Sequence, residues 1–266
     1  MSKYLPKDHT FALCAYGESP HLADCADSLV SQTVKTNVII STSTPNDHIR
    51  SIAAKFDLPL FVNDGLPSIS HDWNCAIGHC STPLVTIAHQ DDLYLPQFAE
   101  SALDAMSQSA SPLISFTDYG EVRDGRNADV SKLLNVKRIL LAPLKGRMAQ
   151  SSRFVRRRIL SLGSSICCPS VTFCLPNLPN PLFLDDMKCD LDWDAWERFS
   201  KLEGEFIYIP KLLMRHRIHE GSETTALIED NTRGLEDLQM LRRFWPSPIA
   251  HFVNRIYSTS QDSNSI

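Results

Sequence analysis

Val85-Thr86-Ile87-Ala88-His89-Gln90-Asp91-Asp92-Leu93-Tyr94-Leu95-Pro96 is an apolar, strand-prone run that ends in two adjacent carboxylates and then a helix start. A strand that delivers acids at its C-terminal end puts them in the crevice beyond the carboxyl edge, where open α/β sheets bind ligands. Adjacent like charges repel unless a cation or a set of donors holds them, so Asp91 and Asp92 point to a divalent metal. A plainer reading stands beside it: Asp92 caps the helix begun near Leu95-Pro96, and Asp91 is solvated.

Working outward, Thr10 to Ala15 suits a buried strand, which Tyr16-Gly17-Glu18-Ser19-Pro20 breaks. Ser19 is suited to N-cap a helix with Pro20 in its first turn, and Leu22, Cys25, Ala26 and Leu29 repeat at helical spacing. Asn37 to Ser41 reads as a second strand, Thr44-Pro45 opens a helix that buries Ile49, Ile52, Ala53 and Phe56, and Leu58 to Val62 is a third strand. His71 to His79 then reads as a helix, Pro96 to Met106 as another, and Leu113 to Thr117 as a strand. Alternating elements of this kind predict an α/β fold, a Rossmann-like and mostly parallel sheet with flanking helices. Val130 to Arg158 is helical but broken at Pro143 and Gly146, and Val171 to Leu175 alternates like a strand. Phe206 to Pro210 and Leu212 to His219 read as two further strands. Residues 225–266 are expected to form a helical C-terminal extension, interrupted at Trp245-Pro246, behind a domain of residues 1–224.

The 266 residues carry a formal charge of −5, so the overall balance does not suggest a nucleic-acid partner. The charge is uneven, because no Asp or Glu occurs from Val130 to Leu184 while Lys132, Lys137, Arg138, Lys145, Arg147, Arg153, Arg156, Arg157 and Arg158 all do. That region suits either an anionic partner, including the headgroups of a membrane surface, or a solvated basic face balanced elsewhere. Met1 to Asp8 has no apolar signal core, and no window approaches 18 apolar residues, so a cytoplasmic protein with peripheral membrane contact at most is expected. None of the eight cysteines forms a CxxC pair, and they read as small buried hydrophobes rather than zinc ligands.

Three polar sets remain: Asp91-Asp92, Asp190 to Asp194, and Arg215-x-Arg217-x-His219. Together they suit group transfer from a diphosphate donor, in which a metal and basic groups neutralise the departing phosphate and a separate carboxylate takes a proton from the acceptor. Singly, Asp192 and Asp194 are also first-turn helix acids, and Arg217 and His219 also suit a surface ion pair with Glu220 or Glu223.

In order along the chain, Tyr16 after the first strand, Asp72-Trp73-Asn74, His89 to Pro96, Asp192-Trp193-Asp194-Ala195-Trp196-Glu197-Arg198 and Arg217 to Thr224 resemble a family 2 glycosyltransferase of bacterial type with the GT-A fold. The resemblance spans about Thr10 to Thr224. It implies an inverting transfer of a sugar from a nucleotide sugar, UDP- or dTDP-linked, to a saccharide or lipid-linked acceptor in surface polysaccharide or glycolipid synthesis. It also implies roles: Asp192 as catalytic base, Asp91 and His219 on Mn²⁺ or Mg²⁺, and Tyr16, Ser41, Asn74, Asp91, Arg217 and His219 around the donor. Two positions depart from the family pattern. His89 stands in place of the first motif acid, and Ser41-Thr42-Ser43 replaces the acidic pair that ends the second strand and helps hold the base.

Two other readings use the same sheet. A nucleotidyltransferase requires a Gly-rich phosphate loop after the first strand, where Gly17 is the lone glycine. A non-catalytic nucleotide-sugar binding module accounts for Ser41 and His89 without chemistry.

Overall fold

The computed structural model describes residues 3–218 and 232–262. Its nine-stranded sheet is built from β1 (His9–Cys14), β2 (Asn37–Thr42), β3 (Leu60–Val62), β4 (Leu84–His89), β5 (Leu93–Tyr94), β6 (Pro112–Arg123), β7 (Arg126–Ala128), β8 (Val171–Cys174) and β9 (Glu205–Ile218), in the order β3-β2-β1-β4-β8-β6-β9-β5 with β7 on β6. The first four neighbours are parallel, as are β6 and β9, and only β8 runs against both of its neighbours inside the sheet. This is the mixed, mostly parallel α/β sheet of the GT-A fold.

Helices α1 (Leu22–Val30), α2 (Asp47–Lys55), α3 (Ile69–Gly78) and α4 (Phe98–Gln108) follow the early strands. The stripe Leu22, Cys25, Ala26 and Leu29 is buried in one core cluster with Phe11, Leu13 and Phe98. A second cluster gathers Phe173, Trp193, Trp196 and Phe199, so α8 (Leu191–Ser200) is built into the core by its aromatics. Short helices α5 (Lys132–Leu141), α6 (Arg147–Ser151) and α7 (Arg153–Ile159) follow β7, with a 3-10 turn at Ala142–Lys145 where Pro143 and Gly146 were expected to break the helix. The C-terminal helices α9 (Thr232–Arg242) and α10 (Ser247–Asp262) put Met240, Leu241 and Ala250 into the cluster around α8. The expected boundary between residues 224 and 225 lies outside the described residues. No helix among those described is long and apolar enough to cross a membrane.

Several sequence expectations need correction. Helix α1 starts at Leu22 behind His21, not at Ser19, because the Ser19 hydroxyl is turned to Asp91. Asn46 rather than Thr44-Pro45 caps α2, its side chain accepting from Ile49 N. Gln97 occupies the N-cap of α4, so Asp92 does not cap that helix. The two strands expected across Phe206 to His219 are one, β9, whose breaks in register against β6 near Thr117 and Asp118 absorb the irregularity.

The basic stretch is also partly an internal feature. Arg156 is 0% exposed and donates to the Leu202 carbonyl while lying over the Phe206 ring. Arg157 bonds Glu197, Arg138 pairs with Asp118 at 2.7 Å, and Arg158 lies over Trp245. These side chains neutralise and cover the protein's own groups, so Arg156 in particular cannot meet headgroups.

Gly204 turns the chain into β9 at φ +130°, and a Cβ there would stand 2.6 Å from the Ser111 carbonyl and 2.8 Å from Leu113 Cγ. Gly204→Ala is therefore expected to lower the unfolding free energy by about 2 kcal/mol or more, measurable by urea titration with an unchanged m-value.

Candidate active site

Parallel pairing aligns the ends of β1, β2, β3 and β4 on one edge, with Cys14 opposite both Ser41 and His89, and Thr42 opposite Val62. The loops leaving that edge hold one another. Gln90 accepts from Tyr16 N at 2.9 Å and donates to Tyr16 O at 3.0 Å, while Thr44 Oγ1 accepts from Gly17 N and Asn46 donates to Gly17 O. Gly17 makes this possible at φ +60°, which costs glycine least. The clamp leaves Tyr16 53% exposed, an aromatic residue at the edge.

Asp91 and Asp92 leave β4 in different environments. Asp91 accepts from the Ser19 hydroxyl at 2.6 Å. Asp92 is buried, and its Oδ1 accepts from His216 Nδ1 at 2.9 Å and Arg217 N at 3.0 Å. These bonds form because β5 pairs antiparallel with β9, Leu93 opposite Arg215 and Tyr94 opposite Met214, which carries the next β9 residues back past the acidic pair. Arg217 Nε then donates to the Asp91 carbonyl at 2.9 Å. Burial works against the Asp92 charge, but His216, its hydrogen bond, His89 and the Arg217 N–H outweigh it and hold the carboxyl below its ordinary range. Burial likewise opposes a charged His216, and Asp92 prevails, raising the imidazole pKa.

His89 is neutral by the opposite balance, since burial outweighs the pull of Asp92. Its ring stacks on Trp73 at 5.0 Å, with Nδ1 3.9 Å from Asp92 Oδ2. Ser41, expected near the donor, is buried with its hydroxyl spent on Asn63 at 2.9 Å. Asn74 bonds the backbone of Phe183 in both directions, 2.7 and 3.2 Å, and so anchors that loop rather than facing the crevice. His219 lies outside the described residues. A different acid stands at the end of β2: Asp72 of α3 accepts from Ser43 and from Asn63 Nδ2.

Asp192 lies in the first turn of α8, half-buried, its Oδ1 accepting from Trp193 N at 2.6 Å. Burial pushes its pKa up to about 6 against the Trp193 N–H, Lys137 and Arg233. The electrostatics tie it to the acidic pair: the Cys167 thiol feels Lys137, Asp92 and Asp192 together, and Lys137 also acts on His216. Lys137, whose ammonium also donates to Tyr119 Oη at 2.8 Å, therefore acts on both Asp192 and His216, the partner of Asp92. Sequence spacing flagged Lys137 only as one of a basic run, and Ser19, Gln90, Asp72 and His216 not at all as site residues. A cleft of about 440 Å³ lined by residues including Asp104, Gln150, Tyr208 and Lys211 lies away from this edge and contains none of the motif residues.

Comparison with known proteins agrees with this architecture. Residues 10–170, more than half of the chain, match the model of glycosyl transferase family 2. The chain belongs to that family and is a glycosyltransferase. No curated protein matches it significantly. Among solved structures it is similar to a mannosyltransferase from Pyrobaculum calidifontis in complex with GDP-Man and Mn²⁺, with a TM-score of 0.62 and 15% identity over 94% of this chain and 71% of that one. It is similar to TarS 1-349 of S. aureus in complex with UDP-GlcNAc, with a TM-score of 0.59 and 14% identity over 93% and 70%. A third is glucosyl-3-phosphoglycerate synthase of Mycobacterium tuberculosis with Mn²⁺, UDP and glucosyl-3-phosphoglycerate, with a TM-score of 0.55 and 11% identity over 88% and 80%.

The Asp92–His216 pair fixes a pH window. Asp92 has a lowered pKa, so its contribution to stability is present above its ordinary 3.8 and is lost as pH falls through the lower folded value. His216 has a raised pKa, so its contribution is full below 6.5 and is lost as pH rises through the higher folded value. His216→Gln is expected to lower stability by about 1–2 kcal/mol, most strongly between those two limits, in melts recorded across pH.

Proposed function

We propose that this glycosyltransferase moves a sugar from a nucleotide sugar to an acceptor hydroxyl with inversion, using Asp192 as the base. One observation carries the reading: Asp192, with a pKa near 6, and the charged Asp92, which anchors the Asp91 motif, both act on the Cys167 thiol, and Lys137 acts on Asp192 and on His216, the partner of Asp92. A base poised near neutrality takes the acceptor proton, and the oxygen attacks the anomeric carbon from the face opposite the nucleotide. The C1–O bond to the diphosphate breaks with its electrons on the phosphate, where Arg217 and Lys137 offset the charge.

Asp91 is the proposed metal ligand. The described residues contain no group of three His, Cys, Asp or Glu able to hold a metal alone. One carboxylate beside a diphosphate still fits a hard cation that takes most of its oxygen ligands from phosphate and water. Two of the similar structures carry Mn²⁺ with their nucleotide, and Mn²⁺ or Mg²⁺ is the proposed cation here. When bound, the cation would neutralise the diphosphate. His219 is retained as a proposed second ligand.

For the nucleobase, Tyr16 offers a stacking face, and Asp72 offers a carboxylate acceptor in place of the second-strand acids. An imino N–H of uracil or thymine suits that acceptor, in keeping with a UDP- or dTDP-linked donor. The acceptor is proposed to be a saccharide or lipid-linked hydroxyl in surface polysaccharide or glycolipid synthesis. A peripheral membrane contact is proposed for the exposed part of the basic stretch, Lys132, Lys145, Arg147 and Arg153 with Met148 and Phe154.

Asp192→Asn is expected to lower kcat by about 100-fold or more with nucleotide binding retained, and wild-type kcat to fall as pH drops through about 6, because protonation removes the base. Turnover by the variant at wild-type rate would reject the assignment. Asp72→Asn is expected to weaken binding of UDP about 10-fold by titration calorimetry while leaving ADP binding unchanged.

A further inference from the structure

Helix α9 reaches across to the segment that carries Asp192. The Glu236 carboxylate accepts from Lys188 N at 2.8 Å, Cys189 N at 2.7 Å and Asp190 N at 3.1 Å, three successive backbone donors just ahead of α8. Asp190, the N-cap residue, makes no side-chain cap bond of its own, so the carboxylate that holds this helix start comes from another helix. One residue on, buried Asp237 shares a hydrogen bond with the Asp190 carboxyl. Burial and the Asp237 charge keep Asp190 protonated well above the usual range, which lets two acids sit together. Past the end of α9, Arg243 bonds Asp194 and Phe244 stacks on Trp193 at 6.4 Å. Asp192 lies between these two grips.

We propose that α9 is the positioning element of the catalytic base, with Glu236 as the residue that sets the place of Asp192. The inference rests on Asp192 being that base. None of the contacts involves substrate: Glu236 acts only through the backbone of residues 188–190. Displacing a reacting group by about 1 Å costs up to roughly 100-fold in rate, so a tether of three hydrogen bonds at the start of a one-turn lever is enough to control turnover. It also controls hydration. Asp192 is faced by Lys137 from α5, Arg233 from α9, Asp190 and the Trp193 N–H, and its elevated pKa comes from burial, which loosening of the 188–190 segment would relieve.

The test uses the full chain with Glu236→Gln, and Gln239→Ala, exposed on the same helix, as the control. Carbon-13 NMR of Asp-labelled protein, with the Asp192→Asn variant assigning the signal, reads the Asp192 midpoint, and amide exchange reads residues 188–194. UDP release from UDP-GlcNAc with Mn²⁺ reads turnover. In Glu236→Gln we expect exchange at 188–194 about 10-fold faster, the midpoint moved below 6, and kcat down about 10-fold with KM within about 2-fold. Unchanged exchange and midpoint in a folded Glu236→Gln overturn the inference whatever the turnover. Undiminished turnover by Asp192→Asn instead overturns the base assignment and leaves the tether to be judged on exchange alone.

Discussion

The buried carboxylate of Asp92 is the constraint on which the rest of the site depends. A charge removed from water must find partners, and this one finds them on β9, at His216 Nδ1 and Arg217 N. The β5–β9 ladder sets that register, and a slip of one residue would turn His216 to the other face and strand the carboxylate. With Asp92 held, Arg217 reaches the Asp91 carbonyl and Asp91 keeps its bond to Ser19. The acidic motif, the β9 arginine and the β1 loop are thereby one assembly, although they are far apart in the chain.

Much of the frame was legible because its signals are local. The stripes of α1 and α2 repeat at helical spacing and burial follows them, while β1, β2 and β4 are short, mostly apolar runs buried on both faces. What sequence could not resolve is where one residue type serves two purposes. An Asp before a helix reads as a cap, but Asp92 is a buried anion whose partners lie on another strand. Ser19 also reads as a cap, yet its hydroxyl holds Asp91. Pro210 and Lys211 suggest a break, but β9 continues through them by shifting register against β6. Arg156 reads as surface charge, and only the fold supplies the Leu202 carbonyl and Phe206 ring that let it be buried.

The two departures from the family pattern read, in three dimensions, as one rearrangement centred on α3. His89 carries no charge and stacks on Trp73. The neighbouring Asp72 turns to the end of β2, where Ser43 and Asn63 donate to it. Ser41-Thr42-Ser43 therefore does not carry acids of its own, but its hydroxyls help receive one from the helix. Adjacent residues on α3 thus support both strand ends, one through an aromatic face and the other through a carboxylate.

Asp92 is buried and Asp192 half-buried, desolvation opposes the charge of each, and the difference in their titration follows from their partners. Asp92 has a histidine and a backbone N–H aimed at one oxygen, and those outweigh desolvation. Asp192 has the backbone N–H groups of Trp193 and of its own residue and the charges of Lys137 and Arg233, and desolvation prevails over them. One acid therefore stays charged as structure while the other exchanges its proton near neutrality. Separation of two carboxylates in this way is how a site divides anchoring from proton transfer. Lys137 acts on both sides of the division. Its ammonium lowers the proton affinity of both His216 and Asp192. It thereby tempers the charge gained on the anchoring side and limits how far burial can raise the base.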